Sequence, residues 1–265
     1  MTALSAAPAP APAPGPAAAQ RSLRRLHRPA LLVWTAFGLL VTGWLLWLHF
    51  SEVPAERACL GFHYSADGNL PTCDYSAFTD ANNVFNLLGE ALGYSAVAVA
   101  AWAGAALIGR ELESGTAKLA WTQSVSPARW LAGKLIAAAV PLLAGGGLLA
   151  LVYSWVWTSD RGALVTNWTW DRVFIPRGPL LPALLLLGLA VGTLAGIALR
   201  RTLPALAVAA AVTLVIRLYL RAAWKPLDGP LHGFWALNLT ATAIVLALAA
   251  AAVAGAFSLL RHRTR

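Results

Sequence analysis

Six long apolar runs make up most of this chain and constrain its fold more than any other feature. The runs cover residues 31–50, 85–109, 135–157, 179–199, 203–224 and 235–260. As an α-helix, each run is long enough to cross the hydrocarbon core of a bilayer, which is about 30 Å thick. Because backbone polar groups must pair inside lipid and the runs do not alternate with polar residues, we expect helices rather than a barrel.

The composition supports the same interpretation. Hydrophobic residues make up 58% of the 265 positions and charged residues 12%, whereas soluble domains carry about 25% charged residues. These values exclude an ordinary soluble enzyme, a disordered tail and a disulfide-framework peptide. The net charge of +9 does not indicate nucleic-acid binding, because the charges lie in short segments between apolar runs. We therefore expect an all-α polytopic protein embedded in a lipid bilayer, with no nucleic-acid partner.

The charges also predict an orientation and a division into segments. Most Lys and Arg residues fall in segments that are cytoplasmic if the N-terminus is inside, and most acids fall in the others. This bias predicts that both termini are cytoplasmic. Residues 1–29, rich in Ala, Pro and then Arg, are expected to be a disordered cytoplasmic segment. Residues 30–261 are expected to form the transmembrane domain, and residues 262–265 a basic tail.

The two cysteines, Cys59 and Cys73, both fall in the first predicted outer segment. A disulfide is one alternative, because that side is oxidising both in bacteria and in secretory compartments. The bond would then belong either to a stapled loop or to a rigid gate. Two free thiols are the other alternative.

Small residues and one acid stand out inside the apolar runs. Gly188, Gly192 and Gly196 form a stripe at a spacing of four, which lets another helix approach closely. The stripe indicates packing either within one subunit or between subunits. Glu90 lies inside the second run, where an acid is costly and often functional. It is expected to be a proton or cationic-substrate site, an ion-pair partner of Arg217 or Arg221, or an exposed residue at the helix end.

The polar segment between the second and third runs, residues 109–135, carries the most information about function. Gly115 is expected to end the second helix in a left-handed cap. Thr116 is expected to cap a short amphipathic helix over 117–124. Ser126 and Pro127 have the residue types of an N-cap and a first helical position. The sequence therefore predicts a short surface helix between two membrane helices.

This segment closely resembles a hallmark of actinobacterial ATP-binding-cassette permeases of the type-2 exporter class. Those proteins carry an R-E-x-E-x-G-T turn, then a W-T-Q-S-V run, then an R-W-L-x-x-K-L helix start. The corresponding residues here are Arg110, Glu111, Glu113, Gly115 and Thr116; Trp121 to Val125; and Arg129, Trp130, Leu131, Lys134 and Leu135. The six-helix layout extends the resemblance over residues 31–260.

The resemblance implies that this segment couples the permease to a separate ATPase subunit. The residues assigned to that role are Arg110, Glu111, Glu113, Gly115, Thr116, Trp121, Thr122 and Gln123. Glu111 and Glu113 would contact basic or amide groups of the ATPase, and Trp121 would fill an apolar socket or anchor at the interface. Headgroup anchoring by Arg110, Arg129 and Trp130 is the alternative for those three residues.

The chain itself lacks the motifs of an enzyme. It has no phosphate-binding loop, no H-E-x-x-H and no G-x-S-x-G sequence. We therefore expect no catalytic activity, and no metal or cofactor bound by this chain. The resemblance implies a permease of the bacterial inner membrane. By the resemblance, ATP and Mg²⁺ would be bound by two ATPase subunits, and a second permease copy or homologue would complete an exporter of small amphipathic or hydrophobic substrates. The alternatives are an ATPase-independent secondary transporter or channel, and a non-transport sensor or immunity protein.

Overall fold

The computed structural model describes residues 16–53, 75–122, 126–161, 164, 166–224 and 233–264. The helices in chain order are α1 (Pro16–Trp47), α2 (Tyr75–Trp102), α3 (Arg110–Glu113), α4 (Thr116–Thr122), α5 (Pro127–Ser159), α6 (Asp171–Phe174), α7 (Leu180–Leu199), α8 (Thr202–Trp224) and α9 (Phe234–Thr264). Two π-helical stretches, π1 (Leu48–Glu52) and π2 (Ala103–Gly109), continue α1 and α2. Within these residues there is no strand and six helical segments are long and apolar enough to span a membrane. The predicted all-α, six-span fold is thus confirmed.

Both ends of the described chain are more helical than expected. α1 begins at Pro16, so residues 16–29 are helical rather than disordered. Proline suits the first helical position, and the alanines and arginines that follow are strong helix formers. At the other end, α9 continues through the expected basic tail to Thr264. Residues 1–15 of the segment predicted over 1–29, and both cysteines, Cys59 and Cys73, lie outside the described residues.

The chain divides into two compact units, with the boundary inside α1. The first unit ends at Leu39. In its described part, the rings of Trp34 and Phe37 stack at 5.8 Å. The second unit begins at Leu40 and contains all the later helices. Its part of α1 has a buried face that includes Val41 and Leu45.

Helix α7 lies at the centre of the second unit. It packs against α2, π2, α5, α8 and α9. Most of its residues are buried, whereas α8 exposes many apolar residues. A helix that is apolar on every side must be covered on every side or face lipid. The uniformly apolar sequence of α7 therefore suits its central position.

The glycine stripe explains how closely α7 approaches its neighbour. A Cβ atom on Gly188 would overlap the carbonyl oxygen of Ala96, and one on Gly192 would overlap that of Ala100. A Cβ on Gly196 would come within 2.8 Å of Ile108 Cβ. Of the two alternatives for this stripe, the structure therefore has packing within one chain, against α2 and π2.

A tight hairpin joins α7 to α8. Arg200 adopts a left-handed conformation with φ of 53°, and its amide donates to the Gly196 carbonyl at 3.0 Å. The last carbonyls of α7 are further paired by Arg263, whose Nη1 donates to Ile197 and Ala198 at 2.8 and 2.9 Å. This contact explains why the basic end of α9 stays helical.

The stripe supports a stability prediction. Gly192→Ala should destabilise the fold by about 1–3 kcal/mol, because the added methyl forces two backbones apart. Gly147→Ala on α5 is the control, since no atom lies within 4 Å of a Cβ there and alanine favours a helix by up to about 1 kcal/mol. The melting temperatures of both variants are measured by thermal unfolding in mild detergent. Equal melting temperatures for the two variants would contradict the packing argument.

Candidate functional site

Residues 110–126, hereafter the connecting segment, leave π2 and return to α5 through two short helices. α3 continues from π2 for four residues and is followed by a sharp turn at Gly115. Gly115 has φ of +74°, the left-handed conformation predicted for it. A side chain at this φ would be strained, so glycine here allows the chain to turn directly into α4.

Hydroxyl groups tie α4 back to α3. The Thr116 hydroxyl donates to the Glu111 carbonyl at 3.3 Å and lies 3.0 Å from the Ser114 hydroxyl. This contact differs from the prediction, in which the Thr116 oxygen accepts an amide of its own helix. At the end of the segment, Ser126 accepts from the Arg129 amide at 3.3 Å, with Pro127 as the first residue of α5. The predicted start of α5 is confirmed.

Glu111 connects the segment to α5 through an ion pair. Its Oε1 lies 2.5 Å from Lys134 Nζ, and the same ammonium donates to the Leu107 carbonyl in π2 at 3.3 Å. Lys134 is only 3% exposed. A buried ammonium requires a charged partner and hydrogen bonds. Lys134 therefore joins three elements, α3, π2 and α5, at one point.

Glu113 makes a second connection, to α8. Its Oε2 accepts the Thr202 amide at 2.8 Å and also accepts the Thr202 hydroxyl. Thr202 is the first residue of α8, where backbone amides lack partners within the helix. A carboxylate is favoured there by both the hydrogen bonds and the helix dipole. The last residue of α3 thus caps a helix that is remote in sequence.

The exposed surface of α4 is partly apolar. Leu119 is 63% exposed and Lys118 is also exposed, while Ala117 is buried. Trp121 packs edge to face on Trp130 of α5, with ring centroids 5.8 Å apart. Its indole Nε1 is buried and has no hydrogen-bond partner among the described residues. α4 is therefore held against α5 by one aromatic contact and presents Leu119 outward.

The ATPase-contact roles assigned from the sequence stay predictions. In this structure both carboxylates, of Glu111 and Glu113, have partners within the chain. Arg110 is exposed, and the Thr122 hydroxyl donates to the Leu119 carbonyl at 2.9 Å. Gln123 lies outside the described residues.

The acid inside the second run, Glu90, forms an ion pair with Arg217 of α8. The Glu90 Oε2 and Arg217 Nη2 atoms are 3.1 Å apart. Arg217 is 6% exposed, and its guanidinium lies 3.4 Å from the centre of the Tyr94 ring. Gly93 leaves room for this cation, because a Cβ there would come within 2.8 Å of Nη2. The pair with Arg217 is thus the arrangement the structure has.

Arg221, the other candidate partner, lies one turn further along α8 and pairs elsewhere. Its Nε is 2.9 Å from Asp171 Oδ2 in α6. The α6 backbone also contacts α2 directly, since a Cβ on Gly89 would overlap the Arg172 carbonyl. Gly89 therefore leaves room for the α6 backbone, and Gly93 leaves room for the Arg217 guanidinium.

Two residues of this site, Lys134 and Thr202, have no role assigned from the sequence, although Lys134 belongs to the R-W-L-x-x-K-L match. Lys134 stands immediately before an apolar run, and a lone cation at that depth is itself a signal of a buried partner. Thr202 gives no such local signal, because its partner Glu113 is far away along the chain. As for metal sites, no three His, Cys, Asp or Glu side chains come together as ligands in the part of the chain that the structure describes.

The Glu90–Arg217 pair supports a charge-reversal prediction. Either Glu90→Arg or Arg217→Glu alone leaves like charges facing each other in the membrane span, and should lower the yield of folded protein strongly. The double reversal should recover much of that loss. The control combines Glu90→Arg with Arg221→Glu, which should not recover it because Arg221 pairs with Asp171. The yield of monodisperse protein in detergent is measured for the two single and the two double variants. Equal recovery with either partner would contradict a specific pair.

A protein-family model described as ABC-2 membrane transporter related matches residues 30–225, well over half of the chain. No curated protein and no solved structure matches it. The matched residues include the connecting segment and five of the six spanning helices. The chain therefore belongs to the ABC-2 membrane transporter related family and is a multi-pass permease, a transport subunit that is not itself catalytic.

Proposed function

We propose that this permease is the membrane subunit of an ATP-driven exporter of the actinobacterial kind, powered by a separate ABC ATPase that binds ATP and Mg²⁺. The family generally works with such an ATPase. The observation that carries the proposal is the attachment of α4. This short helix is connected through α3 to α5 by the Glu111–Lys134 pair and to α8 by the Glu113–Thr202 hydrogen bonds.

In this mechanism the ATPase binds the exposed surface of α4, around Leu119 and Lys118. Closure of the ATPase pair then displaces α4. The ion pair and the Trp121–Trp130 contact transmit that displacement to α5, and the Glu113 cap transmits it to α8. Glu111 and Glu113 act here mainly inside the permease, and any contact with the ATPase comes in addition.

The assembly that we propose contains two permease copies, identical or homologous, and two ATPase subunits in the bacterial inner membrane. The bias of basic residues supports cytoplasmic termini and an ATPase on the same side as α4. Glu90, Lys134 and Arg217 are charged residues within the described spans that are already ion-paired. Their pairing leaves mainly apolar surfaces along the spans, which supports a small amphipathic or hydrophobic substrate.

The first test concerns attachment of the ATPase. The tagged chain, purified from its native host in mild detergent, should bring with it a subunit that contains a phosphate-binding loop, identified by mass spectrometry. Leu119→Ala should reduce recovery of that subunit several-fold, since burial of a leucine side chain contributes about 1.5–3 kcal/mol. Leu203→Ala is the matched control, because Leu203 is 76% exposed and follows the residue that Glu113 caps. A wild-type chain recovered without any nucleotide-binding subunit would favour an ATPase-independent transporter or a sensor.

The second test concerns transmission. In the purified permease–ATPase complex, ATP binding should change amide hydrogen exchange in the first turn of α8. Glu113→Ala should abolish that change while the ATPase stays attached, and Glu113→Gln should keep part of it, because its amide oxygen still accepts the Thr202 amide. An unaltered response in Glu113→Ala would refute transmission through this cap. Loss of the ATPase itself would instead assign Glu113 to the subunit interface.

A further inference from the structure

A cluster of arginines and aromatic rings lies at the opposite end of the spanning helices, where α5 ends and α7 and α9 begin. The Arg177 guanidinium carbon is 3.9 Å from the centre of the Trp157 ring and 4.1 Å from that of Phe234. Arg161 lies over the same Trp157 ring at 4.3 Å. Two cations, Arg161 and Arg177, therefore share one aromatic side chain.

Neither arginine has an acidic partner within the described residues. Asp160 is adjacent to Arg161 in sequence, but it is fully buried and its Oδ2 lies 2.8 Å from His49 Nδ1. Arg221, at the same end, is by contrast paired with Asp171 at 2.9 Å. Among the described residues, the positive charges of Arg161 and Arg177 are thus faced only by aromatic rings.

The environment of Arg177 is unfavourable for an isolated cation. Burial lowers the pKa of Arg177 from its usual value, and the positive charge of Arg161 lowers it further. Its Nε atom is buried and has no hydrogen-bond partner in the described part of the chain. An acceptor with negative charge would satisfy this donor and offset the repulsion between the two guanidinium groups.

The rings that hold the arginines are themselves fixed. Trp157 is buried, and its indole donates to the Thr166 hydroxyl at 3.1 Å. Phe234 packs edge to face on Phe174 at 5.7 Å and on Trp168 at 6.1 Å. The arginines are therefore positioned by rigid neighbours before any ligand arrives, which reduces the entropic cost of binding.

The geometry points to an anion-binding site, formed by Arg161 and Arg177 around Trp157, that takes a phosphate group. Arg161 lies just beyond the spanning helix Pro127–Ser159, and Arg177 just before Leu180–Leu199. That level of the membrane is where lipid phosphates lie. Guanidinium groups match phosphate oxygens in geometry, so each arginine offers paired donors to a phosphate. The phosphate is supplied either by an anionic lipid headgroup or by free phosphate.

The experiment titrates the full chain in detergent with short-chain phosphatidylglycerol, short-chain phosphatidylcholine and sodium phosphate, and measures binding by native mass spectrometry. Phosphatidylglycerol should bind more tightly than phosphatidylcholine, whose choline cation is repelled by the arginines. The variant Arg161→Gln with Arg177→Gln should weaken phosphatidylglycerol binding about tenfold. Arg172→Gln is the matched control, because Arg172 stacks on a different ring, that of Trp170, at 4.4 Å.

Competition between sodium phosphate and phosphatidylglycerol distinguishes the two sources of phosphate. Displacement of phosphatidylglycerol by millimolar sodium phosphate would identify free phosphate as the ligand, and its failure to displace would identify the lipid. If the double variant does not fold, Arg161→Gln alone decides, because Arg161 is exposed. Unchanged phosphatidylglycerol binding in Arg161→Gln, or an equal loss in Arg172→Gln, would overturn the site. The measurement requires no ATPase and is therefore independent of the proposed transport function.

Discussion

The close backbone contact between α7 and α2 is the constraint on which the rest of this structure depends. Carbonyl oxygens of Ala96 and Ala100 occupy the places where side chains of Gly188 and Gly192 would begin. Interfaces packed this tightly do not deform continuously, because small shifts create overlaps. A displacement applied at the end of α2 is therefore passed to α7, which in turn contacts α5, α8 and α9.

The π-helical stretch π2 links the contact between α2 and α7 to the Glu111–Lys134 ion pair. It continues α2 beside Gly192 and Gly196, and its Leu107 carbonyl accepts a hydrogen bond from the buried Lys134. Such π-helical turns are frequently found at functional sites in other proteins. Removing either member of the Glu111–Lys134 pair would leave a poorly compensated charge, which is more damaging than removing both. The attachment of the connecting segment to the spanning helices therefore depends on both members of the pair being present.

The sequence predicts the parts of this arrangement that depend on local pattern. The apolar runs, the left-handed turn at Gly115 and the start of α5 at Ser126 each follow from residue type and spacing over a few positions. The Glu113–Thr202 cap does not, because its members meet only after α7 and α8 have packed. The sequence also predicts too short a helix for α1, since Pro16 and the alanines after it are compatible with both a disordered segment and a helix start. For Glu90 it leaves two arginines one helical turn apart as partners, and only the position of Asp171 distinguishes them.

Different interactions hold the helices together at the two ends of the second unit. This difference affects how a displacement of one helix can reach the others. At the connecting segment, carboxylates join α3 to α5 and α8. At the opposite end, the Arg177 guanidinium lies between rings carried by α5 and α9, just before α7 begins. Noncovalent contacts join the helices at both ends. A displacement of α4 therefore cannot separate them without breaking an ion pair or exposing the Arg177 guanidinium. In the coupling mechanism proposed above, tilting of the helices about the aromatic end would keep both sets of contacts, and it is the movement that we propose.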